Sequence, residues 1–325
     1  MGRVIWPLCV LFWVTACAGL EPLQETTREV ITIESVDLPG SLWDPLMPPL
    51  DDGSPVEIQA QLSLPPTETP VPLVIMVHGC GGSGGAERGW VDDLNKEGYA
   101  ALLVDSLGGR GTTGICVGEG QINVASPIVD LYRAAEVMAK HPYIDAARIA
   151  VMGFSFGGRT AIWSGLTRVQ DLYGGPEFVA HIAFYPSTCF IRLEDETERT
   201  AAPLRIFHGT ADDWTPIDQC EEYVERMIEA GRDVEIFAYK DAHHGFDDET
   251  TSQGITFFPT AVSPRTCSFI EQDGTIVDAN TGRPANVRSS CVERGIHFGW
   301  NGSAHAASKT DLAAFLHTVF SDTGR

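Results

Sequence analysis

Residues 148–159 read Arg-Ile-Ala-Val-Met-Gly-Phe-Ser-Phe-Gly-Gly-Arg, and this stretch decides the fold. The apolar run 149–152 predicts a short buried strand, and the residues after Gly157 are compatible with a helix. A sharp turn between a strand and a helix requires small residues on both sides of the serine, which accounts for Gly153 and Gly157. We therefore interpret the turn as one that holds the Ser155 hydroxyl exposed at the tip of a sheet. The alternative is an ordinary glycine-rich turn.

Similar apolar runs recur along the chain and alternate with segments of helical periodicity. The predicted buried strands cover residues 73–77, 101–104, 149–152, 179–185, 204–207 and 234–239, and the predicted helices cover 86–97, 127–140, 216–230 and 309–320. Short strands that alternate with helices predict an α/β fold, with a mostly parallel, doubly wound sheet and helices on both faces. Ligands bind such sheets beyond the carboxyl ends of the strands, so the polar residues that follow each run are expected to meet there.

The first residues are typical of an export signal. Arg3 precedes a mostly apolar stretch over 4–14, which is too short to span a bilayer as a helix. Residues 14–17, Val-Thr-Ala-Cys, resemble the bacterial lipoprotein cleavage box, in which Cys17 becomes the lipidated first residue. We predict a signal peptide over 1–17 and a periplasmic or outer-membrane-anchored lipoprotein. The alternative is ordinary cleavage near Ala18 and secretion.

The remaining chain is predicted to have two parts. Residues 18–50 form an extended N-terminal segment with a short edge strand at 30–33, and residues 51–325 form the main domain. After the last core strand, an insertion over about 247–305 interrupts the pattern before the final helix. Within it, Asp273-Gly274 between two β-rich runs predicts a hairpin.

The net charge of −22 on 325 residues argues against nucleic-acid or anionic-membrane binding through a basic surface. Of the eight cysteines, Cys9 and Cys17 belong to the signal region. The others are expected to form disulfides, as is usual in an exported chain. Proximity in sequence suggests the pairs Cys80–Cys116, Cys189–Cys220 and Cys267–Cys291. A metal site is the competing interpretation, but no C-x-x-C or H-x-x-x-H spacing supports it, and no cofactor is implied.

A serine nucleophile needs a base and an acid that orients the base, and two downstream segments supply candidates. Asp212 and Asp213 follow one predicted strand and precede a helix, and either carboxylate fits the role of the acid. His243 and His244 follow the last core strand, and either imidazole fits the role of the base. Serine, aspartate and histidine then occur in the chain order expected for an α/β-hydrolase.

From about residue 56 to 320 the chain resembles the dienelactone hydrolase family of α/β-hydrolases. The matching segments are His78-Gly79-Cys80-Gly81-Gly82, Val104-Asp105-Ser106 with Gly109-Arg110-Gly111, the turn at Ser155, His208-Gly209-Thr210-Ala211-Asp212 and His244-Gly245-Phe246. The resemblance implies Asp212 as the acid, with Asp213 the fallback, and His244 as the base, with His243 beside it. The enzymes that name the family carry cysteine where this chain has Ser155, which favours general ester hydrolysis over dienelactone as the substrate.

An oxyanion hole requires backbone N–H donors, which we expect from Phe156, after the nucleophile, and Cys80, in the loop after the 73–77 strand. Cys80 as an alternative nucleophile lacks such a turn. Arg110 is a candidate for binding a substrate carboxylate, or else it orders its own loop. Trp214, like Phe154 and Phe156, is a candidate for lining the substrate pocket, although core packing explains these aromatic residues equally well.

These residues together predict a serine hydrolase of carboxylic esters or lactones that acts on a small-molecule substrate through an acyl-enzyme. One alternative is a peptidase of related fold, and another is a catalytically idle surface lipoprotein that uses the fold for binding.

Overall fold

The computed structural model of the chain describes residues 20–40, 50–116 and 122–321. The strands are β1 (Thr27–Asp37), β2 (Ser54–Leu64), β3 (Val71–Val77), β4 (Ala100–Asp105), β5 (Ile144–Phe154), β6 (His181–Phe184), β7 (Ile191–Arg192), β8 (Leu204–Gly209), β9 (Val234–Tyr239), β10 (Thr256–Ser263), β11 (Phe269–Gln272), β12 (Thr275–Asp278) and β13 (Glu293–Phe298). The helices are α1 (Gly85–Lys96), α2 (Ser126–Met138), α3 (Phe156–Trp163), α4 (Thr167–Tyr173), α5 (Ile217–Glu229) and α6 (Gly302–Ser321).

The main sheet has eight strands in the order β1-β2-β4-β3-β5-β6-β8-β9. β1 and β2 pair antiparallel, β2 and β4 pair antiparallel, and all strands from β4 to β9 in this order run parallel. The carboxyl ends of the parallel strands therefore lie at one edge. This confirms the predicted α/β-hydrolase class, a mostly parallel, doubly wound sheet.

Two apolar layers cover the two faces of the sheet, and β3 shows why. Its residues alternate, so Val74 and Met76 belong to the layer that contains α1 and α6, while Leu73, Ile75 and Val77 belong to the layer that contains α2, α3 and α5. All five side chains are fully buried. Burial of each such side chain contributes about 1.5–3 kcal/mol, so a strand that is apolar on both faces belongs at the centre of the sheet.

The edge strand of the main sheet, β1, is longer than the strand predicted at 30–33. The segment 18–50 was expected to be extended with a short strand at 30–33, but β1 begins at Thr27 and pairs with β2 from Thr27↔Leu64 to Asp37↔Ser54. It is therefore part of the main sheet, which begins before residue 51. The sequence pattern underestimates this strand because one face of an edge strand is exposed and carries polar residues.

The insertion before the last helix consists of two small sheets. β10 pairs with β13, and we call this pair the ribbon; β11 pairs with β12 in a hairpin and, on its other side, with the short strand β7. At the hairpin turn, Asp273 (φ 49°) and Gly274 (φ 76°) both have left-handed backbones, as the Asp-Gly pair predicts. Helix α6 begins at Gly302, seven residues earlier than the expected start at Lys309.

Three disulfides join Cys80 to Cys116, Cys189 to Cys220 and Cys267 to Cys291, the pairs suggested by proximity in sequence. The predicted signal peptide and Cys17 lie outside the described residues. In the part of the chain that the structure describes, no helix has the length and apolarity needed to cross a membrane.

Candidate active site

Ser155 lies in a strained turn between β5 and α3. Its backbone has φ 51° and ψ −106°, a region that costs a non-glycine residue about 1–3 kcal/mol. The amide of Ser155 donates to the carbonyl oxygen of Phe184 at 2.9 Å, and its own carbonyl accepts from Arg159 at 3.1 Å. These bonds to the neighbouring strand and to the helix hold the strained backbone in place, so the hydroxyl stands at the carboxyl edge of the sheet.

The two glycines of the turn are required by close backbone approaches. A Cβ on Gly153 would collide with the carbonyl group of Gly157, and a Cβ on Gly157 would collide with the carbonyl of Val77 at the end of β3. The serine turn therefore rests directly on the neighbouring strand. This is the physical reason for the small residues that the sequence places on either side of Ser155.

The loop after β3 approaches the serine from the other side. A Cβ built on Gly79 would lie 3.8 Å from the Cβ of Ser155, so the loop passes close to the serine turn. The buried carboxylate of Glu87, near the start of α1, accepts hydrogen bonds from the amides of Gly79 (3.3 Å) and Gly84 (2.8 Å). Glu87 thus holds both ends of this glycine-rich loop, a role that no sequence motif indicated.

A disulfide fixes the middle of the same loop. Cys80 is bonded to Cys116, and the amide of Ile115 donates to the carbonyl of Cys80 at 2.8 Å. Both half-cystines line the cavity that contains Ser155. Since its sulfur is bonded, Cys80 is no free thiol nucleophile. Phe156 is the first residue of α3, where N–H groups have no acceptor within the helix.

Asp212 and His244 form a buried pair. Nδ1 of His244 lies 2.7 Å from Oδ2 of Asp212, and because a carboxylate only accepts, Nδ1 carries the proton. Oδ1 of Asp212 accepts from the amides of Trp214 (2.9 Å) and Thr215 (3.0 Å), and Oδ2 also accepts from Oγ1 of Thr215 at 3.1 Å. Nε2 of His244 is buried and has no hydrogen-bond partner among the described residues.

These contacts also set the charge of Asp212. Burial favours the neutral acid, but the charge and hydrogen bond of His244, the charge of His208 and the amide of Thr215 outweigh it, so the pKa of Asp212 is lowered. The carboxylate is therefore ionised near neutral pH. An ionised carboxylate at Nδ1 orients the imidazole and stabilises its protonated form.

Ser155 and His244 face one cavity of about 390 Å³. Its walls come from the loop after β3, from Phe154 and Tyr185 at the strand ends, from Trp214, and from Phe258 and Phe298 of the insertion. A larger groove of about 700 Å³ lies beside α6, near the opposite ends of the strands. It contains none of the predicted site residues, and its arginines are paired with neighbouring acids, as in Arg148–Asp145 and Arg205–Asp233.

The model of the dienelactone hydrolase family matches residues 58–263, more than half of the chain. The chain belongs to the dienelactone hydrolase family. Membership identifies it as an enzyme of the carboxylic ester hydrolase class.

Curated relatives of this family member fall into two kinds. A Bradyrhizobium protein assigned as a 2-oxo-3-(5-oxofuran-2-ylidene)propanoate lactonase is 24% identical over 200 residues, which cover 58% of this chain and 79% of that protein. The acylamino-acid-releasing enzyme of Rattus norvegicus is 32% identical over 158 residues, which cover 42% of this chain. The chain spans about a fifth of that enzyme, because the match covers 20% of its length.

Solved structures share the fold. A dienelactone hydrolase-like promiscuous phosphotriesterase from metagenomic libraries aligns with a TM-score of 0.53 and 14% identity over 90% of this chain and 99% of that chain. A Klebsiella pneumoniae protein assigned as a dienelactone hydrolase aligns with a TM-score of 0.50 and 22% identity over 68% of this chain and 90% of that chain.

In this dienelactone hydrolase family member, Asp213 and His243 lie apart from the Asp212–His244 pair. Oδ2 of Asp213 accepts from Nδ1 of His297 at 2.7 Å, and its Oδ1 accepts from the amide of His297 at 2.8 Å. His297 belongs to β13, so Asp213 binds the insertion. The ring of His243 lies beside that of His297, tilted by 45° with ring centres 5.7 Å apart, and His243 is not among the residues that line the Ser155 cavity.

Arg110 lies outside the Ser155 cavity, and its guanidinium donors are bonded within the protein. Its five N–H donors bond to Asp37, to both oxygens of Asp130 and to the backbone carbonyls of Ser106 and Val36, at 2.7–2.9 Å. The side chain is 2% exposed, and Arg110 does not line the cavity. The arginine therefore orders its loop against β1 and α2. Trp214, in contrast, lines the cavity.

Sequence reasoning missed the support behind His244. The ring of Tyr185 lies 4.5 Å from that of His244, and the hydroxyl of Tyr185 donates to Asp247 at 2.7 Å. Nε1 of Trp90 donates to the other oxygen of Asp247 at 2.8 Å. The signal in the sequence for this buried acid was its place directly after His244-Gly245-Phe246.

Proposed function

We propose that the chain is a serine hydrolase of carboxylic esters or lactones in which Ser155 is the nucleophile, His244 the general base and Asp212 the orienting acid. The observation that carries the proposal is the shared cavity: the strained serine and the histidine, whose Nε2 has no partner in the described part of the chain, line the same 390 Å³ space. The hydrogen bonds that Asp212 accepts from His244 and Thr215 support its assignment over Asp213.

The reaction we propose proceeds through an acyl-enzyme. Oγ of Ser155 attacks the substrate carbonyl carbon while Nε2 of His244 takes the hydroxyl proton, and the carbonyl oxygen becomes an oxyanion. The amides of Phe156 and Cys80 donate to that oxyanion. The C–O bond to the leaving group then breaks, and His244 returns the proton to the departing alkoxide, which leaves as an alcohol.

Deacylation repeats these steps with water. His244 takes a proton from a water molecule whose oxygen attacks the acyl carbon, and the second oxyanion collapses with cleavage of the bond to Ser155. The proton on His244 returns to Oγ, and the carboxylic acid is released. Every proton that moves is thus accounted for by one imidazole.

Two measurements test the assignment of Ser155. Purified protein is expected to hydrolyse 4-nitrophenyl esters, and Ser155→Ala is expected to lower kcat by about 10⁴-fold or more. A fluorophosphonate probe is expected to label the wild type with a stoichiometry of about one and to leave Ser155→Ala unlabelled. Ser187→Ala is the matched control, because Ser187 donates its amide to the Ser155 carbonyl but does not line the cavity. Full turnover by Ser155→Ala contradicts the triad, and absence of both labelling and turnover in the wild type favours an idle binding protein.

Peptide hydrolysis is a second candidate, favoured by the similarity to the acylamino-acid-releasing enzyme. A triad that hydrolyses esters also attacks amides when the site protonates the poorer leaving group. Comparing N-acetyl-alanine 4-nitroanilide with the corresponding 4-nitrophenyl ester separates the two. A kcat/KM on the anilide within about tenfold of that on the ester supports the peptidase.

We also infer export. The three disulfides support it, because such bonds persist in oxidising compartments. Lipidation of Cys17 is tested by membrane fractionation of the full chain and of Cys17→Ser. Release of the variant into the soluble fraction supports the lipid anchor, whereas an unchanged distribution contradicts it.

A further inference from the structure

We propose that this site selects uncharged, apolar esters and rejects anionic ones, and that the ribbon of β10 and β13 builds the wall that does so. The inference rests on the proposed function, because it names the substrate class of the same serine site. Its observations are independent of the triad: they concern the polarity of the cavity walls and the charges around them.

Two aromatic side chains that line the cavity, Trp214 and Tyr185, use their polar groups in hydrogen bonds within the protein. Nε1 of Trp214 donates to the carbonyl of Val262 at 2.9 Å, and the hydroxyl of Tyr185 donates to buried Asp247 at 2.7 Å. Both rings line the cavity. Their hydrogen-bonding groups are therefore unavailable to a ligand, and the rings offer apolar surface.

The ribbon adds the remaining apolar wall through a bulge. Phe258 pairs with Ile296 and Val262 pairs with Arg294, so residues 259–261 of β10 face the single residue Gly295 of β13. The surplus residues bend the strand. Phe258, Thr260 and Ala261 from this bulged stretch line the cavity, together with Phe298 of β13.

The charges at the cavity are negative. Glu87 and Asp248 line it, and none of the lining residues that the structure describes is lysine or arginine. Residues 117–121, which follow Cys116 in the sequence and lie outside the described residues, contain neither lysine nor arginine. An anionic ligand would lose hydration and meet carboxylates, without a cation to compensate.

An arginine at the cavity would favour an anionic substrate, so the positions of Arg110 and Arg294 bear on this inference. Arg110 has its five donors bonded and lies outside the cavity. Arg294 is exposed and donates to the carbonyl of Thr260 at 2.8 Å, and it is not a lining residue. The Bradyrhizobium relative is named for a propanoate substrate, which is an anion. The inference therefore predicts that the two proteins act on substrates of different charge.

The test compares two esters that differ only at the end of the acyl chain. These are 4-nitrophenyl hexanoate and the mono-4-nitrophenyl ester of adipic acid, which carries a carboxylate in place of the terminal methyl group. At pH 7, wild-type kcat/KM is expected to be at least about 100-fold higher for the neutral ester. Equal rates, or a preference for the anionic ester, overturn the inference while leaving the serine hydrolase intact.

Variants show whether the ribbon sets this preference. Thr260 is exposed at the rim, so Thr260→Arg adds a cation there and is expected to raise the ratio of anionic to neutral kcat/KM by about tenfold or more. Thr260→Gln, of similar length without charge, is expected to leave the ratio near that of the wild type. Arg294→Ala is expected to leave it unchanged, and a collapse of anionic turnover in that variant contradicts the inference.

The same experiments can also contradict the proposed function itself. If the wild type hydrolyses neither ester and Ser155 resists the fluorophosphonate probe, both the serine hydrolase and its substrate class are wrong. Labelling of Ser155 without turnover of either ester retains the nucleophile and overturns the substrate class alone.

Discussion

Asp212 and Asp213 are adjacent in the chain, yet their carboxylates bind histidines on different elements. Asp212 lies 2.7 Å from Nδ1 of His244 after β9, and Asp213 lies 2.7 Å from Nδ1 of His297 on β13. Arg265 adds a bond to the carbonyl of Asp213 at 2.9 Å. One aspartate thus belongs to the proposed triad, and its neighbour joins the insertion to the hydrolase core.

The two aspartates are expected to differ sharply on substitution. Asp212→Asn is expected to lower kcat by about 10³–10⁴-fold, because the amide cannot stabilise a protonated His244. Asp213→Asn is the matched control and is expected to keep kcat within about tenfold while lowering the Tm modestly. Steady-state kinetics and thermal unfolding measure both effects. An equal loss of kcat in the two variants contradicts the assignment of the acid.

Thr215 is expected to position the proposed acid. Thr215→Val removes the hydroxyl that donates to Oδ2 of Asp212 at 3.1 Å, so we expect a loss of about 3–10-fold in kcat/KM. Loss of this donor also leaves the Asp212 carboxylate more basic, which favours the protonated form of the proposed base His244, so the acid limb of the pH profile moves to higher pH. Thr215→Ser keeps the hydroxyl and is expected to retain both the kcat/KM and the acid limb of the wild type. If kcat/KM of Thr215→Val falls by the same factor at every pH and the acid limb does not move, the effect of the substitution is purely structural.

The Cys80–Cys116 disulfide is expected to support catalysis through the loop after β3. Cys80→Ser combined with Cys116→Ser is expected to lower kcat by about 10–100-fold, because a looser loop positions the proposed oxyanion donor less well. The pair Cys267–Cys291, which does not line the cavity, supplies the control. Double replacement there is expected to lower the Tm with kcat largely retained. Similar kcat losses in both double variants would show that the effect is not local.

Asp247 is expected to make stability depend on pH. Burial, the largest cause, raises the pKa of Asp247 from 3.8 to about 6, against the opposing hydrogen bonds from Tyr185 and Trp90. Because the folded pKa exceeds the unfolded one, this contribution to stability is complete below about pH 3.8 and is lost as the pH rises to about 6. The free energy of unfolding of the wild type relative to Asp247→Asn is therefore expected to fall by on the order of 2–3 kcal/mol between pH 4 and 7.

Urea unfolding at a series of pH values, with the disulfides intact, measures this difference. Asp248→Asn, at the half-buried neighbouring position, controls for a change in net charge. A difference between the wild type and Asp247→Asn that stays flat or grows with pH contradicts the expectation. Titration of all other groups cancels in the comparison, provided that both proteins keep the same fold.

The sequence by itself determined the features that depend on local geometry. The alternation of apolar runs and helical segments identified the sheet, because buried parallel strands must be apolar on both faces. Gly153 and Gly157 indicated the serine turn, since a Cβ at either position would collide with backbone. Asp273-Gly274 identified its hairpin for a similarly local reason, the left-handed backbone of both residues.

Tertiary structure alone decided which of several equivalent side chains meets which partner. Asp212 and Asp213 have the same chemistry, and only the positions of His244 and His297, 32 and 84 residues away in their respective pairs, distinguish them. Arg110 has a side chain that could bind an anion, but its N–H groups donate to Asp37 and Asp130 instead. Such contacts join residues far apart in sequence, and no local pattern encodes them.

The insertion shows the same division most clearly. Its hairpin was predictable, but the bulge that brings Phe258 to the Ser155 cavity depends on how β10 pairs with β13 and on the hydrogen bond from Trp214 to Val262. Pairing register and docking are set by the packing of the whole domain. The serine turn could therefore be predicted from the sequence, whereas the residues that line the cavity around it are brought together only by the tertiary structure.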